Sequence, residues 1–261
     1  MSVHSLSKGE QRRDAIVAML KQKGRISVQD IVDTLHCSEA TARRDLDLLE
    51  KTEGIIRTIG GALYDAHSPV REVSFQEKTS LSWLEKERIA ATAASLVEDG
   101  DVIGLSGGTT TYHIARALKS RRGITVVTNA INIAMELADS EDIQVVVAGG
   151  ILRSKSYELC GPLAEKLIEG LNIGKMFLGI DGVALSQGLT TYSESEAQIA
   201  KALIKRSDQT LAVFDRTKVG RTSLFSIAPL TAVHGCITDA PLDPVFRQEL
   251  ERIGVRVHLA E

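Results

Sequence analysis

From residue 101 onward, short apolar runs recur, each followed by a segment with helical periodicity. The runs are "DVIGL", "ITVVT", "IQVVVAGG", "KMFLGI", "TLAVF", "GCITD" and "GVRVHL". Helices are expected over 110–119, 130–139, 161–171, 194–207 and 243–253, with another near 86–98 ahead of the first run. A strand with one wet face alternates apolar and polar residues, whereas a continuous apolar run needs cover on both faces. Strands of that kind spaced by helices predict a Rossmann-like, mostly parallel α/β domain. Ligands of such sheets sit at the carboxyl ends of the strands.

The first part of the chain reads differently. Ile16, Met19 and Leu20 share one face of a helix over 10–23. Ser27 can cap a helix whose apolar stripe is Val28, Ile31, Val32 and Leu35. After the turn "HCS", Ser38 can cap a third helix with Ala42, Leu46 and Leu49 inward, and Gly54 ends it. "IIRTIGGALY" holds a Gly60-Gly61 turn, consistent with a small hairpin. Three short helices and a hairpin predict a winged helix-turn-helix over 8–63. Residues 64–85, with Pro69 and mixed polar content, read as a linker in which Phe75, Leu81 and Trp83 could still pack, and 86–261 as the α/β domain.

With Ala42, Leu46 and Leu49 inward, steps of 100° per residue put Arg44 almost opposite the core, Arg43 on one flank and Thr41 on the other. Arginine can be bidentate to guanine or to phosphate, and Ser38 and Thr41 can reach either. Arg57, before the Gly-Gly turn, can meet the DNA backbone or minor groove. The plainer alternative for Arg43 and Arg44 is a solvated helix face with Arg43 and Asp47 paired at i,i+4. The formal net charge is −3, which does not favour nucleic acid, but residues 1–63 carry 10 Lys+Arg against 9 Asp+Glu and the rest 21 against 25. The helix face therefore matters more than the total.

"LSGGTTTYHIARAL" lies between the first strand and the next helix. Gly107 and Gly108 with Ser106, Thr109, Thr110 and Thr111 offer backbone N–H groups and hydroxyls to an anion at a helix N-terminus. A tight turn is the alternative. Other polar strand ends fall on the same edge: Thr128 and Asn129, then Gly149, Gly150 and Arg153, then Asp181, then Asp215 with Lys218. Singly, such an aspartate is often a cap and such a lysine a surface residue. Together they predict one crevice.

Both halves resemble the DeoR family of bacterial transcriptional regulators. The head carries its T-x-R-R-D-L core from Thr41 to Leu46 and its wing pattern from Gly54 to Ala62. Cys37 and Ala42 stand where larger aliphatics are usual. The α/β half carries G-T-T from Gly108, T-N at Thr128, G-G-x-x-R from Gly149, G-x-D-G from Gly179, G-L-T-T followed by Glu196, and D-x-x-K from Asp215 to Lys218. This half is similar to ribose-5-phosphate isomerase and glucosamine-6-phosphate deaminase. The resemblance implies a phosphorylated sugar effector, its phosphate on Gly107 to Thr111 with Lys218 as a point charge. Asp181 and Glu196 would accept from sugar hydroxyls. Many relatives have Asp where this chain has Ser106, which bears on hydroxyl selectivity.

The expected function is a repressor of a sugar-catabolic operon, with operator DNA and a phosphorylated sugar as partners. No cofactor or metal is expected. Operators of this kind need two or more half-sites, so a homo-oligomer is expected. A sugar-phosphate isomerase or deaminase carrying a DNA-binding head is the rival, since Asp181, Glu196 and Lys218 suit an enediol proton shuffle. A structural nucleoid protein fits the polar crevice poorly. Cys37, Cys160 and Cys236 have no paired spacing, and no apolar run approaches the roughly 18–20 residues of a membrane helix. The start of the chain reads as no secretory signal, and a cytoplasmic location is expected.

Overall fold

A computed structural model describes residues 8–49, 55–64, 72–79 and 81–261. The chain divides into two compact units, Met1–Val73 and Ser74–Glu261. Gly54 and Pro69, which figured in the expected helix end and linker, lie outside the described residues.

In the first unit, helix α1 spans Lys8–Lys23, strand β1 Arg25–Ser27, α2 Val28–Leu35, α3 Glu39–Leu49, β2 Ile55–Thr58 and β3 Gly61–Tyr64. Ser27 caps α2 in a full capping box: its hydroxyl accepts from Asp30 N–H, and the Asp30 carboxylate accepts from Ser27 N–H. That arrangement holds the Asp30 carboxyl below its ordinary pKa. The core is Ile16, Leu20, Ile26, Val28, Ile31, Ala42, Leu46 and Leu49 with Ile55 and Ala62. The expected hairpin gains a third strand, because β1 pairs antiparallel with β3. Gly61 is required there. A Cβ would lie 2.1 Å from the Ile26 carbonyl oxygen.

The second unit opens with α4, Phe75–Thr79, and α5, Trp83–Ser95. Then follow β4 (Val102–Leu105), α6 (Thr109–Leu118), β5 (Ile124–Thr128), α7 (Ile131–Leu137) and β6 (Ile143–Val147). A short antiparallel pair, β7 (Ile151–Arg153) and β8 (Glu158–Cys160), precedes α8 (Pro162–Glu169) and β9 (Ile173–Gly179). Strands β10 (Gly182–Ala184) and β11 (Gly188–Thr191), helix α9 (Glu194–Lys205), and strands β12 (Ser207–Val213), β13 (Phe225–Ala228) and β14 (Gly235–Thr238) come next. Helix α10 (Pro244–Arg252) and strand β15 (Arg256–Leu259) close the chain.

The main sheet has the order β15-β14-β12-β9-β4-β5-β6, with its neighbours parallel throughout. Apolar clusters cover both faces. Strand order reverses at β4: the chain runs outward through β5 and β6, then returns to the other side of β4 with β9. The loops after β4 and β9 therefore flank the switch point where such sheets bind ligands.

The segment expected as a linker contains α4 and the first residues of α5. The Phe75 ring stands 5.8 Å from that of Tyr112 and 5.4 Å from that of Tyr157, and its N–H donates to the Lys155 carbonyl. Mixed polarity misleads because few apolar residues, well placed, suffice to dock so short a helix. Helix α5 likewise starts at Trp83, three residues before the expected position.

His113 in α6 is buried, with its ring edge-on to Trp83. Burial, with Lys86 and Arg116 nearby, lowers its pKa to about 4. The folded unit thus rejects a proton that the unfolded chain takes up near pH 6.5, so stability falls as pH drops from about 6.5 toward 4. Urea unfolding of wild type and of His113→Gln isolates this group: the change in stability from pH 7 to pH 5 should be about 2 kcal/mol less favourable in wild type than in the variant. An identical pH slope in the variant would discard the assignment.

Candidate functional site

Two polar regions stand out, one in each unit. On α3, Arg43, Arg44, Asp47 and Leu48 face solvent while Ala42, Asp45, Leu46 and Leu49 are buried. Arg44 has no hydrogen-bond or ion-pair partner among the described residues. Arg43 pairs with Glu39 at 3.5 Å rather than with Asp47. Asp47 instead accepts from Arg57 Nε at 3.1 Å, and Arg57 Nη1 donates to the Gly61 carbonyl at 2.7 Å. Arg57 thus ties the wing to α3. Ser38 caps α3: its hydroxyl accepts from the Thr41 N–H and lies 2.8 Å from the Thr41 hydroxyl. Sequence reasoning missed Asp45. It is buried, and both Arg12 and Arg13 of α1 reach it, Arg12 at 2.5 Å. This contact ties α1 to α3. The only sequence cue was a carboxylate at i+3 from Ala42, on the inward stripe.

In the second unit the loop 106–108 follows β4 at the switch point. Ser106 is turned into the structure: its hydroxyl accepts from the Gly179 N–H at 2.9 Å and donates to the Gly107 carbonyl at 3.2 Å. It braces the loop against β9. Gly108, at φ +128°, turns the chain into α6. Thr109, Thr110 and Thr111 are buried, and the Thr111 hydroxyl is used on the Gly108 carbonyl. Among the described residues, no acceptor takes the backbone N–H groups of residues 107 to 111. Buried N–H groups are rarely left so, and a run of them at a helix N-terminus has the chemistry to take an anion.

Across the end of β9, Asp181 accepts from Lys78 Nζ at 2.5 Å, from the Thr191 hydroxyl at 3.1 Å and from the Tyr192 N–H at 3.2 Å. Glu196 accepts from Arg153 Nε and from the same Thr191 hydroxyl, each at 3.1 Å. Asn129 donates through Nδ2 to Glu158 at 2.9 Å, while its Oδ1 is buried without a partner. Asp215 serves as the cap of the turn Arg216–Lys218, taking the Thr217 N–H and hydroxyl. Lys218 has no ion-pair or hydrogen-bond partner for its ammonium among the described residues, although Asp181, Asp215 and Lys78 all act on it electrostatically.

The charged groups of this cluster set one another's ionisation. Burial would raise the Asp181 carboxyl, but Lys78 and Lys218 hold it well below the ordinary carboxylate range. Burial opposes the charge on Lys78, and Asp181, Glu196 and Glu158 more than restore it. Burial, and then Lys78, lowers Lys218. Glu158 is pushed up to about 8 by burial and the Glu196 charge. At neutral pH the cations Lys78, Lys218 and Arg153 thus face the carboxylates Asp181 and Glu196. Behind them Lys86 and Asp215 offset each other. The cluster carries excess positive charge beside a row of open N–H groups.

Lys78, Lys86 and Glu158 were not found from the sequence. The two lysines fall in or beside the segment read as a linker. The Lys86 ammonium donates to the carbonyls of Lys78 and Leu81, at 2.7 and 2.6 Å, and burial brings it down to about 8. A buried lysine in a helix carries no local signal. Glu158 lies on β8, a strand too short to show a period.

Comparison with known proteins finds matches to both units. A family model described as the DeoR-like helix-turn-helix domain matches residues 12–68, and one described as the DeoR C terminal sensor domain matches residues 82–240. The HTH-type transcriptional regulator YulB of Bacillus subtilis is 36% identical over 95% of both chains. A putative aga operon transcriptional repressor of Escherichia coli O157:H7 is 31% identical over 95% of this chain and 93% of its own. The transcriptional repressor GlcR of B. subtilis is 34% identical over 97% and 96%. Among solved structures, ribose 5-phosphate isomerase A of Methanocaldococcus jannaschii overlaps 53% of this chain and 55% of its own, with 19% identity and a TM-score of 0.40.

Proposed function

Because the chain belongs to the DeoR family of transcriptional regulators, we propose that its second unit binds a phosphorylated sugar and that this controls operator binding by the first. The gene it represses would serve sugar catabolism. The observation that carries the reading is the set of open N–H groups from Gly107 to Thr111 at the switch point, beside the unpaired ammonium of Lys218. A phosphate supplies acceptors to the first and charge to the second. Asp181, Glu196 and the free Oδ1 of Asn129 then accept from sugar hydroxyls. In the head, Arg44 is the side chain free to read a base edge, with Arg43, Ser38 and Thr41 beside it. Arg57 supports them by holding the wing.

The isomerase alternative has lost its footing. The relatives that match both units are named regulators and repressors. Among the described residues no helix is long and apolar enough to cross a membrane. Reading two operator half-sites calls for a homo-oligomer.

A thermal-shift screen against a panel of sugars and their phosphates tests the reading. Ligand at 100 times its Kd stabilises by about 2.7 kcal/mol, which raises Tm by roughly 5–10 °C in a domain of this size. At least one phosphorylated sugar should do so while its unphosphorylated parent does not. Equal shifts from parent and phosphate would reject the phosphate site.

A further inference from the structure

Glu158 stands against the anion loop. Its carboxyl is so close to Gly107 that a Cβ there would lie 2.2 Å from Glu158 Cγ and Cδ and 2.3 Å from Oε1. The residue is 7% exposed. Oε2 accepts from Asn129 Nδ2 at 2.9 Å, and among the described residues no other donor reaches the carboxyl. The neighbouring N–H groups of residues 107 to 111 are open, yet none bonds to it. A carboxylate placed there would be expected to take at least one of them. A carboxylic acid already supplied at Oε2 by Asn129 has a proton to give from Oε1.

We propose that Glu158 is a further binding residue of the crevice, a carboxylic acid that donates a hydrogen bond to the oxyanion seated on the loop 107–111. The inference rests on the reading of that loop as an oxyanion site. The groups facing Glu158 agree with it. Glu196 of α9 and Asp181 beyond β9 repel a charge on Glu158, Lys78 of α4 favours one, and Arg153, its register partner on β7, is held by Glu196. Burial adds to the two carboxylates, and the balance keeps the proton on Glu158 up to about pH 8. An acid at this place favours a fully ionised oxyanion, whose every oxygen is an acceptor. Above that pH the same group becomes a like charge beside the ligand.

Sulfate is a suitable probe, because its charge is constant between about pH 6.5 and 9.5, where free phosphate still titrates. Calorimetry would follow sulfate binding to the full chain, to Glu158→Gln and to Glu158→Met at both pH values. Glutamine keeps a donor and cannot ionise, so its affinity should match wild type at pH 6.5 and exceed it about tenfold at pH 9.5. Comparing the two chains at each pH cancels the charge that Lys86 loses over that range. Methionine fills the space without a donor and should bind about tenfold more weakly at pH 6.5. A wild-type to glutamine ratio that is the same at both pH values overturns the proposal. So does methionine binding as tightly as wild type or tighter, which would make Glu158 an obstruction. Sulfate binding to none of the three chains would overturn the oxyanion reading itself, and this inference with it.

Discussion

Lys218→Met lowers the affinity for the sugar phosphate about tenfold or more, and the repressor then answers poorly to its effector. A charge-assisted bond to a phosphate in a partly desolvated site is worth about 1.5–3 kcal/mol. Methionine keeps the apolar stem of the side chain, so packing at the end of the turn Arg216–Lys218 survives. No internal bond is lost, because the Lys218 ammonium has no partner among the described residues, and Asp181 still holds Lys78. Removing a cation that Lys78 repels should even ease the free site slightly. Titration calorimetry with the sugar phosphate found by thermal shift gives the answer. Equal affinity in variant and wild type would remove Lys218 from the site.

Arg44→Ala weakens operator binding by roughly 1–3 kcal/mol if the guanidinium reads a base, and relaxes the preference at that base pair. The side chain is exposed on the outer face of α3 and makes no bond among the described residues, so the fold of the head should be indifferent to the change. Arg43 is different. It shares an exposed pair with Glu39, and its loss should act more evenly across sequences, as a phosphate contact does. Fluorescence anisotropy on operator and scrambled duplexes at fixed salt separates the two. An Arg44→Ala protein that binds operator as tightly as wild type has its reading residue elsewhere.

The fold was legible in the sequence wherever burial imposes a period. Strands between covering helices must be apolar throughout, so the seven runs marked the seven strands of the main sheet. The stripe Ala42, Leu46 and Leu49 oriented α3 and set Arg44 outward. Polar residues at the strand ends could be grouped for the same reason, since topology collects strand ends on one edge. What escaped was set by contacts between distant segments. Lys78 meets Asp181 across 103 positions of chain. Glu158 reaches Gly107 from a three-residue strand, and Asp45 reaches Arg12 across the head. Asp215 and Arg57 stood out as a polar strand end and a basic residue before a turn. Their bonding, to the turn at Thr217 and to the wing at Gly61, depends on geometry that residue type alone does not fix.

The most direct test of the account is the operator affinity of the wild-type chain and of Lys218→Met, each with and without the sugar phosphate at a concentration that saturates wild type. The two chains should bind operator alike without ligand. Ligand should shift the wild-type affinity by about tenfold or more, the usual scale of coupling between distinct sites, and shift the variant much less. An operator affinity that the saturating ligand leaves unchanged in wild type would contradict the claim that this chain joins a sugar-phosphate sensor to a DNA-reading head.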